Sequence, residues 1–478
     1  MPQLLDAALQ EMLYASNHAW AMYTGIAHGA YEVVRRFASA ELQAAWLPGL
    51  VDGTCVPTMC LTEPQAGSDV GLLRCRAEPQ DDGSYRLSGN KLFISGGEHD
   101  LTEDILHLVL ARLPGAPAGS RGVSLFLVPK RLDRGLSNAV RCDGIEHKMG
   151  IKGSATCSLV FDGAQGWLIG EANRGLAAMF VMMNSARLHV GLQGLGHAES
   201  ASQNASAYAL ERKQMRAPAR PAGVDAEVAD PIHYHPAMRR VLLELRASVE
   251  GMRAIGYWAA HLLDESEHAQ DQRARQRALQ LAELLTPVIK AFFTEQGFRL
   301  ASNALQVFGG YGYVSEFAIE QTLRDSRIAM IYEGSNEIQA NDLLLRKVLG
   351  DEGRAFGQLL AVMREEAGLA CADTCFGADL TQLCDKLETE QREIADLTVT
   401  EREYPYRAAG DFLRLCGVAL LAFSWARAAR VSRLLPDSDP LRANKLETAR
   451  FFFAYLLPEA DQRLAAIRAA RAPLPFLV

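Results

Sequence analysis

Along the first fifty positions, apolar residues recur at three- and four-residue steps: Leu4, Leu5, Ala8, Leu9, Met12, Leu13 and Ala15 share one face of a helix. The spacing predicts helix from residue 1 to about 50, reading as the end of a longer helical unit. From about 51 to 165 the pattern changes to short β-branched and aromatic runs separated by turn residues. Asp82-Gly83 precedes Ser84 to Ser88, Asn90 leads into Lys91-Leu92-Phe93-Ile94-Ser95, and His107 to Leu110 and Val123 to Val128 follow, the last stopped by Pro129. These runs predict a mainly antiparallel β domain. Helical periodicity returns from about 171 to 348, broken by a loop at Arg216 to Pro231 that holds Pro218, Pro221 and Gly223, and continues as helices from about 352 to 478. The reading is an α+β chain in four parts: 1–53 the remainder of an N-terminal helical domain, 54–168 a middle β domain, 169–350 a helix bundle, and 351–478 an additional C-terminal helical domain. No tandem repeat or low-complexity tract interrupts it.

Composition narrows the function class. With 478 residues, 49% hydrophobic and 22% charged, the chain has the make-up of a multidomain globular enzyme. No apolar run reaches the roughly 18 residues of a membrane span, and Met1-Pro2-Gln3-Leu4 lacks the basic head of a signal peptide, so a cytoplasmic location is expected. A net charge of −8 argues against nucleic acid as a partner. The nine cysteines show no paired spacing, as expected for reduced thiols. Cys371, Cys375 and Cys384 have no histidine nearby and read as packing residues of a helix face, so no metal site is expected.

Two segments carry candidate chemistry. In Met59-Cys60-Leu61-Thr62-Glu63-Pro64-Gln65-Ala66-Gly67-Ser68-Asp69 a strand runs into a turn shaped by Pro64 and Gly67, with Thr62 and Ser68 offering hydroxyls and N–H groups to a heterocycle or pyrophosphate. On composition alone an ordinary strand-to-loop turn fits as well. In Arg324 to Gln339, Glu333 stands between an apolar run and Gly334-Ser335-Asn336, where Ser335 and Asn336 are both good helix N-caps. A carboxylate beside apolar groups is pushed towards the pKa of a general base, though most glutamates are solvated surface groups. Between the two lies Gln306-Val307-Phe308-Gly309-Gly310, whose glycines permit close backbone approach.

Taken in order, these segments resemble the acyl-CoA dehydrogenase family. Its pattern of a Thr-Glu-Pro strand end, an aromatic-Ile-Ser segment (here Phe93-Ile94-Ser95), Phe-Gly-Gly and Ile-Tyr-Glu-Gly is met across roughly residues 5 to 350. Glu146-His147-Lys148-Met149-Gly150-Ile151, Met182-Met183-Asn184-Ser185-Ala186-Arg187 and the helical tail after Gly350 are similar to the subgroup that includes methylthiopropanoyl-CoA dehydrogenases.

The resemblance implies Glu333 as the catalytic base and FAD as the cofactor. Leu61, Thr62, Gly67 and Ser68 would contact the flavin and its pyrophosphate, with Phe93 and Ser95 flanking the ring and Ser335 and Glu337 close by. Arg212 and Gln214, with His235 as a neighbour, fall where the family binds the adenine-side phosphates. Gln306, Gly309 and Gly310 fall where a neighbouring subunit touches the cofactor, so a homodimer or dimer of dimers is implied. Ser68, Met183, Asn184, Arg187 and Gly334 would meet the acyl-CoA, with Asn184 replacing a more familiar aspartate. Each has a plainer reading as packing or surface: Phe93 as core, Arg187 as a bundle ion pair, His235 as a helix-start residue. Ala329 suggests a pocket not blocked there by a large aromatic.

The implied reaction is α,β-dehydrogenation. The glutamate takes the α-proton, its own backbone N–H and a flavin ribityl hydroxyl stabilise the thioester oxygen, and the β-hydrogen goes to FAD as hydride, giving a trans-2-enoyl-CoA. An electron-transferring flavoprotein is the implied acceptor. Two other readings share the motifs: an acyl-CoA oxidase, and a shortened non-catalytic subunit that binds flavin or CoA. The second arises because Thr62 stands only 61 residues from the start, where the family has a much longer helical stretch, so an incomplete pocket is expected.

Overall fold

The computed structural model describes residues 1–477 apart from Asp133, Arg134, Ala226 and 371–375, and the side chains of Asn184 and Ser185 are likewise outside the described set. The chain divides into two compact units, Asn17–Arg187 and Met1–Ser16 with Leu188–Val478. These differ from the four parts read from periodicity, because the first sixteen residues pack on the late helices rather than on α2 and α3.

Among the described residues the first unit holds α2 (Ala27–Phe37), α3 (Ala40–Asp52) and seven strands: β1 (Cys55–Cys60), β2 (Arg76–Pro79), β3 (Tyr85–Ser95), β4 (Asp104–Ala111), β5 (Ser124–Pro129), β6 (Val140–Ile145) and β7 (Thr156–Ile169). The sheet order is β1-β4-β5-β7-β3-β2, with β6 also on β7. Every strand pair is antiparallel except β1 with β4, which is parallel.

The continuous apolar runs of β4 and β5 reflect burial on both faces. Leu106, Leu108, Leu110, Leu125 and Leu127 point into one core with Val33 and Val34 of α2. Val109, Phe126 and Val128 alternate into a second core with Leu87, Ile94 and Phe161. Strand β3 corrects the sequence reading: Ser84–Ser88 and Lys91–Ser95 are not two strands but one, with register shifts at Leu87/Ser88 and Lys91/Ile94. Gly89, at φ 149°, and Phe93, at φ 59°, lie in the irregular stretch and let it bend without ending.

In the second unit the N-terminal part of α1 (Gln3–Thr24), which is interrupted by non-helical backbone at Asn17, joins the later part of α4 (Gly175–Glu211), α5 (Pro236–His268) and α6 (Gln272–Phe308). Buried polar ties hold α1 there: Glu11 receives Arg253 and the Tyr257 hydroxyl, and His189 meets Asp6 at 2.8 Å. Short elements follow, α7 (Ile319–Ser326), α8 (Asn336–Asn341) and a π-helical turn at Asp342–Leu349. The tail forms α9 (Arg354–Ala370), α10 (Phe376–Thr398), α11 (Tyr404–Ser432), α12 (Pro440–Phe451) and α13 (Glu459–Ala469).

Helix α11 is long and apolar enough to cross a membrane, against the expectation that no such stretch exists, but 83% of its most apolar window is buried inside the protein. It is a core helix, with the Trp425 indole donating to the Ala247 carbonyl at 2.8 Å. The predicted loop between α4 and α5 is closed by Asp230, whose carboxylate accepts from Ala217 N–H and the Arg220 guanidinium.

Helices α4 and α6 approach at Gly194 and Gly297. A Cβ on Gly297 would stand 2.5 Å from the Gly194 carbonyl oxygen, and one on Gly194 would stand 2.4 Å from that of Phe293. Both obstacles are backbone and cannot rotate away. Gly297→Ala is expected to destabilise the protein by about 1–3 kcal/mol, read as a lower melting temperature. An unchanged melt would show that the helices separate at no cost.

Candidate functional site

Glu333 lies in the short connection between a 3₁₀ turn (Arg327–Met330) and α8. Its φ is 55° and that of Gly334 is 84°, two successive left-handed residues. Such backbone is natural for glycine and strained for glutamate, and it persists only where the surroundings impose it.

Those surroundings come from α8 and α6. The Gln339 amide donates to the Glu333 carbonyl at 3.1 Å, and the Lys290 ammonium donates to the Gly334 carbonyl at 2.7 Å. Lys290 also reaches Asn336 Oδ1 at 3.2 Å, an oxygen shared with the Thr294 hydroxyl, while Asn336 Nδ2 donates to the Ala291 carbonyl. Ser335 is the N-cap of α8, but its side chain makes no capping bond to the helix and instead bonds Glu337. That bond, the Glu337 N–H and the nearby Lys290 and Arg327 charges hold the Glu337 carboxyl below its ordinary range, although burial works the other way. Asn336, read as a second N-cap, sits inside the helix with its amide committed to α6.

Behind the loop the Tyr332 hydroxyl donates to Gln193 Oε1 of α4. Gln193 also bonds the buried Tyr14 of α1. Burial pushes the Tyr332 phenol far above its ordinary range, with Tyr14 and Glu333 adding to the shift, so it stays a neutral donor. Ala329 is fully buried, so that position packs against protein.

A cavity of about 590 Å³ in the same unit collects Arg212, Gln214, His235, Gln306, Gly309 and Gly310. The sequence reading placed Arg212 and Gln214 at the adenine-side phosphates and Gln306, Gly309 and Gly310 where a neighbouring subunit touches the cofactor. The structure brings all five to one cavity because the ends of α4 and α6 meet: Tyr208 stacks on Phe308 at 4.2 Å, and the Arg212 guanidinium lies over the Tyr311 ring. Gly309, at φ 59°, and Gly310 face open space where a Cβ would stand, leaving bare backbone beside a cation. A cation, two carboxamides and exposed glycine backbone form a lining suited to the phosphates of a dinucleotide. His235 lines this cavity and is also the N-cap residue of α5, its ring bonded to the Gln214 carbonyl.

The first unit holds the other predicted contacts. After β1 the chain makes a tight turn in which Glu63 and Ala66 exchange backbone bonds, leaving Gly67 and Ser68 exposed. Leu61 and Thr62 are tied to β3: Lys91 donates to the Leu61 carbonyl at 3.0 Å, and Leu92 N–H to the Thr62 carbonyl at 2.9 Å. Lys91 is fully buried and pairs with buried Glu63 at 2.8 Å. Phe93 is not core. It is 61% exposed at a left-handed φ in mid-strand, an arrangement that packing does not favour. Ser95 is half-buried opposite Thr156. An exposed aromatic beside hydroxyls and a rigid strand end suits a flat heterocycle.

Of the substrate residues, Met183 is half-buried against the sheet core and Arg187 is buried, while the Asn184 side chain lies outside the described residues, as do Cys371 and Cys375. Cys384 is a buried free thiol, and among the described residues no cluster of three potential metal ligands occurs. Sequence reasoning missed Lys290, Gln193 and Lys91. The signal for Lys290 was available: one lysine inside the apolar run Val288 to Phe293.

Three family models match successive parts of the chain. Residues 58–164 match the model of the acyl-CoA dehydrogenase middle domain, 173–347 that of the acyl-CoA dehydrogenase C-terminal domain, and 356–474 that described as acetyl-CoA dehydrogenase C-terminal like. The chain is 40% identical to 3-methylmercaptopropionyl-CoA dehydrogenase of Ruegeria pomeroyi, over 96% of this chain and 80% of that protein. It is 36% identical to a butyryl-CoA dehydrogenase of Syntrophomonas wolfei, over 98% and 80%. A solved structure of an acyl-CoA dehydrogenase complexed with FAD, from Bacillus anthracis, superposes with a TM-score of 0.79 at 20% identity, covering 100% of this chain and 83% of that one.

Proposed function

This chain belongs to the acyl-CoA dehydrogenase family, whose members are FAD-dependent oxidoreductases, and from that premise we propose that it converts an acyl-CoA thioester to the trans-2-enoyl-CoA with Glu333 as the base. The observation that carries this reading is the clamped left-handed backbone at Glu333 and Gly334. Strain of this kind gathers where a side chain must be aimed rather than merely packed.

The Glu333 carboxylate takes the α-proton, and the C–H electron pair stays on the substrate as an enolate-like thioester. The Glu333 N–H donates to the thioester oxygen, where that charge collects. When bound, FAD supplies the acceptor for the β-hydrogen and its electron pair. Phe93, Thr62, Gly67, Ser68 and Ser95 would hold its flavin end. The Arg212 cavity would take an adenosine-phosphate end presented by a second copy of this chain, which would make a homodimer or dimer of dimers the working unit. An electron-transferring flavoprotein would be the electron acceptor, with the cytoplasm as the setting. The acyl group is short, in keeping with what the two named relatives act on.

Anaerobic mixing of the purified yellow protein with butanoyl-CoA, 3-methylthiopropanoyl-CoA and longer acyl-CoAs tests the reading. The flavin absorbance is expected to bleach with the short substrates. Flavin that no acyl-CoA bleaches would leave a binding subunit instead, and rapid reoxidation of the bleached protein by air would mark an oxidase.

A further inference from the structure

Lys290 is enclosed at the middle of α6, at 0% exposure. Burying an ammonium is costly unless its donors are used, so a lysine at such a place is retained for what it holds. It holds the carbonyl that follows Glu333 (Gly334 O, 2.7 Å) and the Asn336 carboxamide that opens α8 (3.2 Å).

We infer that Lys290 is a positioning residue for proton transfer: its buried ammonium fixes the Gly334 carbonyl and thereby the left-handed backbone that aims the Glu333 carboxylate. The inference rests on Glu333 being the base. Without a donor at the Gly334 carbonyl, that peptide can rotate towards ordinary backbone, and the carboxylate swings with it. The Gln339 amide restrains only the peptide before, at the Glu333 carbonyl. A Cβ on Gly334 would meet Gln339 Nε2 at 2.7 Å, so the turn is closed on that side and depends on α6 for the other. Lys290 exchanges no proton in the reaction. The proton passes from the substrate α-carbon to Glu333, and Lys290 acts only as a hydrogen-bond donor.

The test compares wild type with Lys290→Met, Asn336→Leu and Glu333→Gln, using butanoyl-CoA with protium or deuterium at the α-carbon. Flavin content and melting temperature are measured on each protein. A displaced base slows C–H cleavage itself, so Lys290→Met is expected to lose on the order of a hundredfold in kcat with little change in KM, and its α-deuterium isotope effect is expected to rise. Asn336→Leu removes one acceptor of Lys290 from a half-buried site while leaving the core lysine in place. It is expected to show the same signature at smaller size, and it decides the question in the same way if Lys290→Met does not fold.

Wild-type kcat and isotope effect in either soluble variant would overturn the inference. So would a fall in kcat that merely tracks lost flavin with the isotope effect unchanged, since that is a folding role alone. Full turnover by Glu333→Gln would instead remove the base assignment on which the inference stands, a separate outcome read from a separate protein.

Discussion

Glu333→Gln is expected to lose on the order of 10³-fold or more in turnover while keeping its flavin. Glutamine matches glutamate in size and retains the backbone carbonyl that accepts from Gln339, so the left-handed turn should survive. What it lacks is a basic oxygen: an amide cannot hold the α-proton, and no rearrangement of the loop supplies one. Stopped-flow bleaching of the flavin by acyl-CoA measures the loss, and the visible spectrum of the resting protein measures the flavin retained. Bleaching within tenfold of wild type would exclude Glu333 as the base. Loss of the flavin itself would show that the turn, rather than the carboxylate, was damaged.

The second large effect is expected at the strand end of the other unit. Glu63 is 4% exposed and accepts from Lys91, from the N–H groups of Arg74 and Cys75, and from the Gln65 amide. Burial alone would push its carboxyl up. The Lys91 ammonium and the two N–H donors outweigh that and hold it below the ordinary carboxylate range. Lys91→Met leaves a buried carboxylate without its cation and removes the donor to the Leu61 carbonyl, at an expected cost of about 3–5 kcal/mol. A melting temperature near that of wild type at neutral pH would contradict this.

The sign with pH follows from linkage. In wild type the folded pKa of Glu63 is depressed, so its contribution is present above the unfolded carboxylate value, about 4.3, and is lost as pH falls through the folded one. In Lys91→Met burial has no cation opposing it, so the carboxyl binds a proton more readily in the folded state than in the unfolded state. The variant therefore recovers stability as pH falls. The gap in melting temperature is expected to be widest near pH 7 and to narrow on acidification towards the unfolded carboxylate value, and a gap independent of pH would assign the loss to packing alone.

Much of this protein is determined locally. The unbroken apolar runs of β4 and β5 were legible as strands because two-sided burial demands apolar residues at every position, and α4 to α6 because one buried face imposes a three- to four-residue period. Glu333, Gly334 and the Phe-Gly-Gly segment stood out because unusual backbone and function restrict residue choice over a few consecutive positions. The continuity of β3 was not legible, since a register shift inside one strand leaves the same turn-like residues as a break between two. Nor was the burial of α11, because hydropathy does not distinguish a helix enclosed by other helices from one in lipid.

The sequence by itself determined the family, the order of its parts and the carboxylate that acts as base in the reading proposed here. Only the tertiary structure decided what holds that carboxylate in place. Lys290 and Glu333 are separated by 43 positions and Lys91 and Glu63 by 28, and Gln193 meets Tyr332 at a sequence separation of 139. Pairings of this kind follow from how helices and strands come together, and nothing in the residues flanking either partner encodes them. The same convergence put Arg212 and Gly309 into one cavity, because the ends of α4 and α6 meet in space although nearly a hundred residues lie between them.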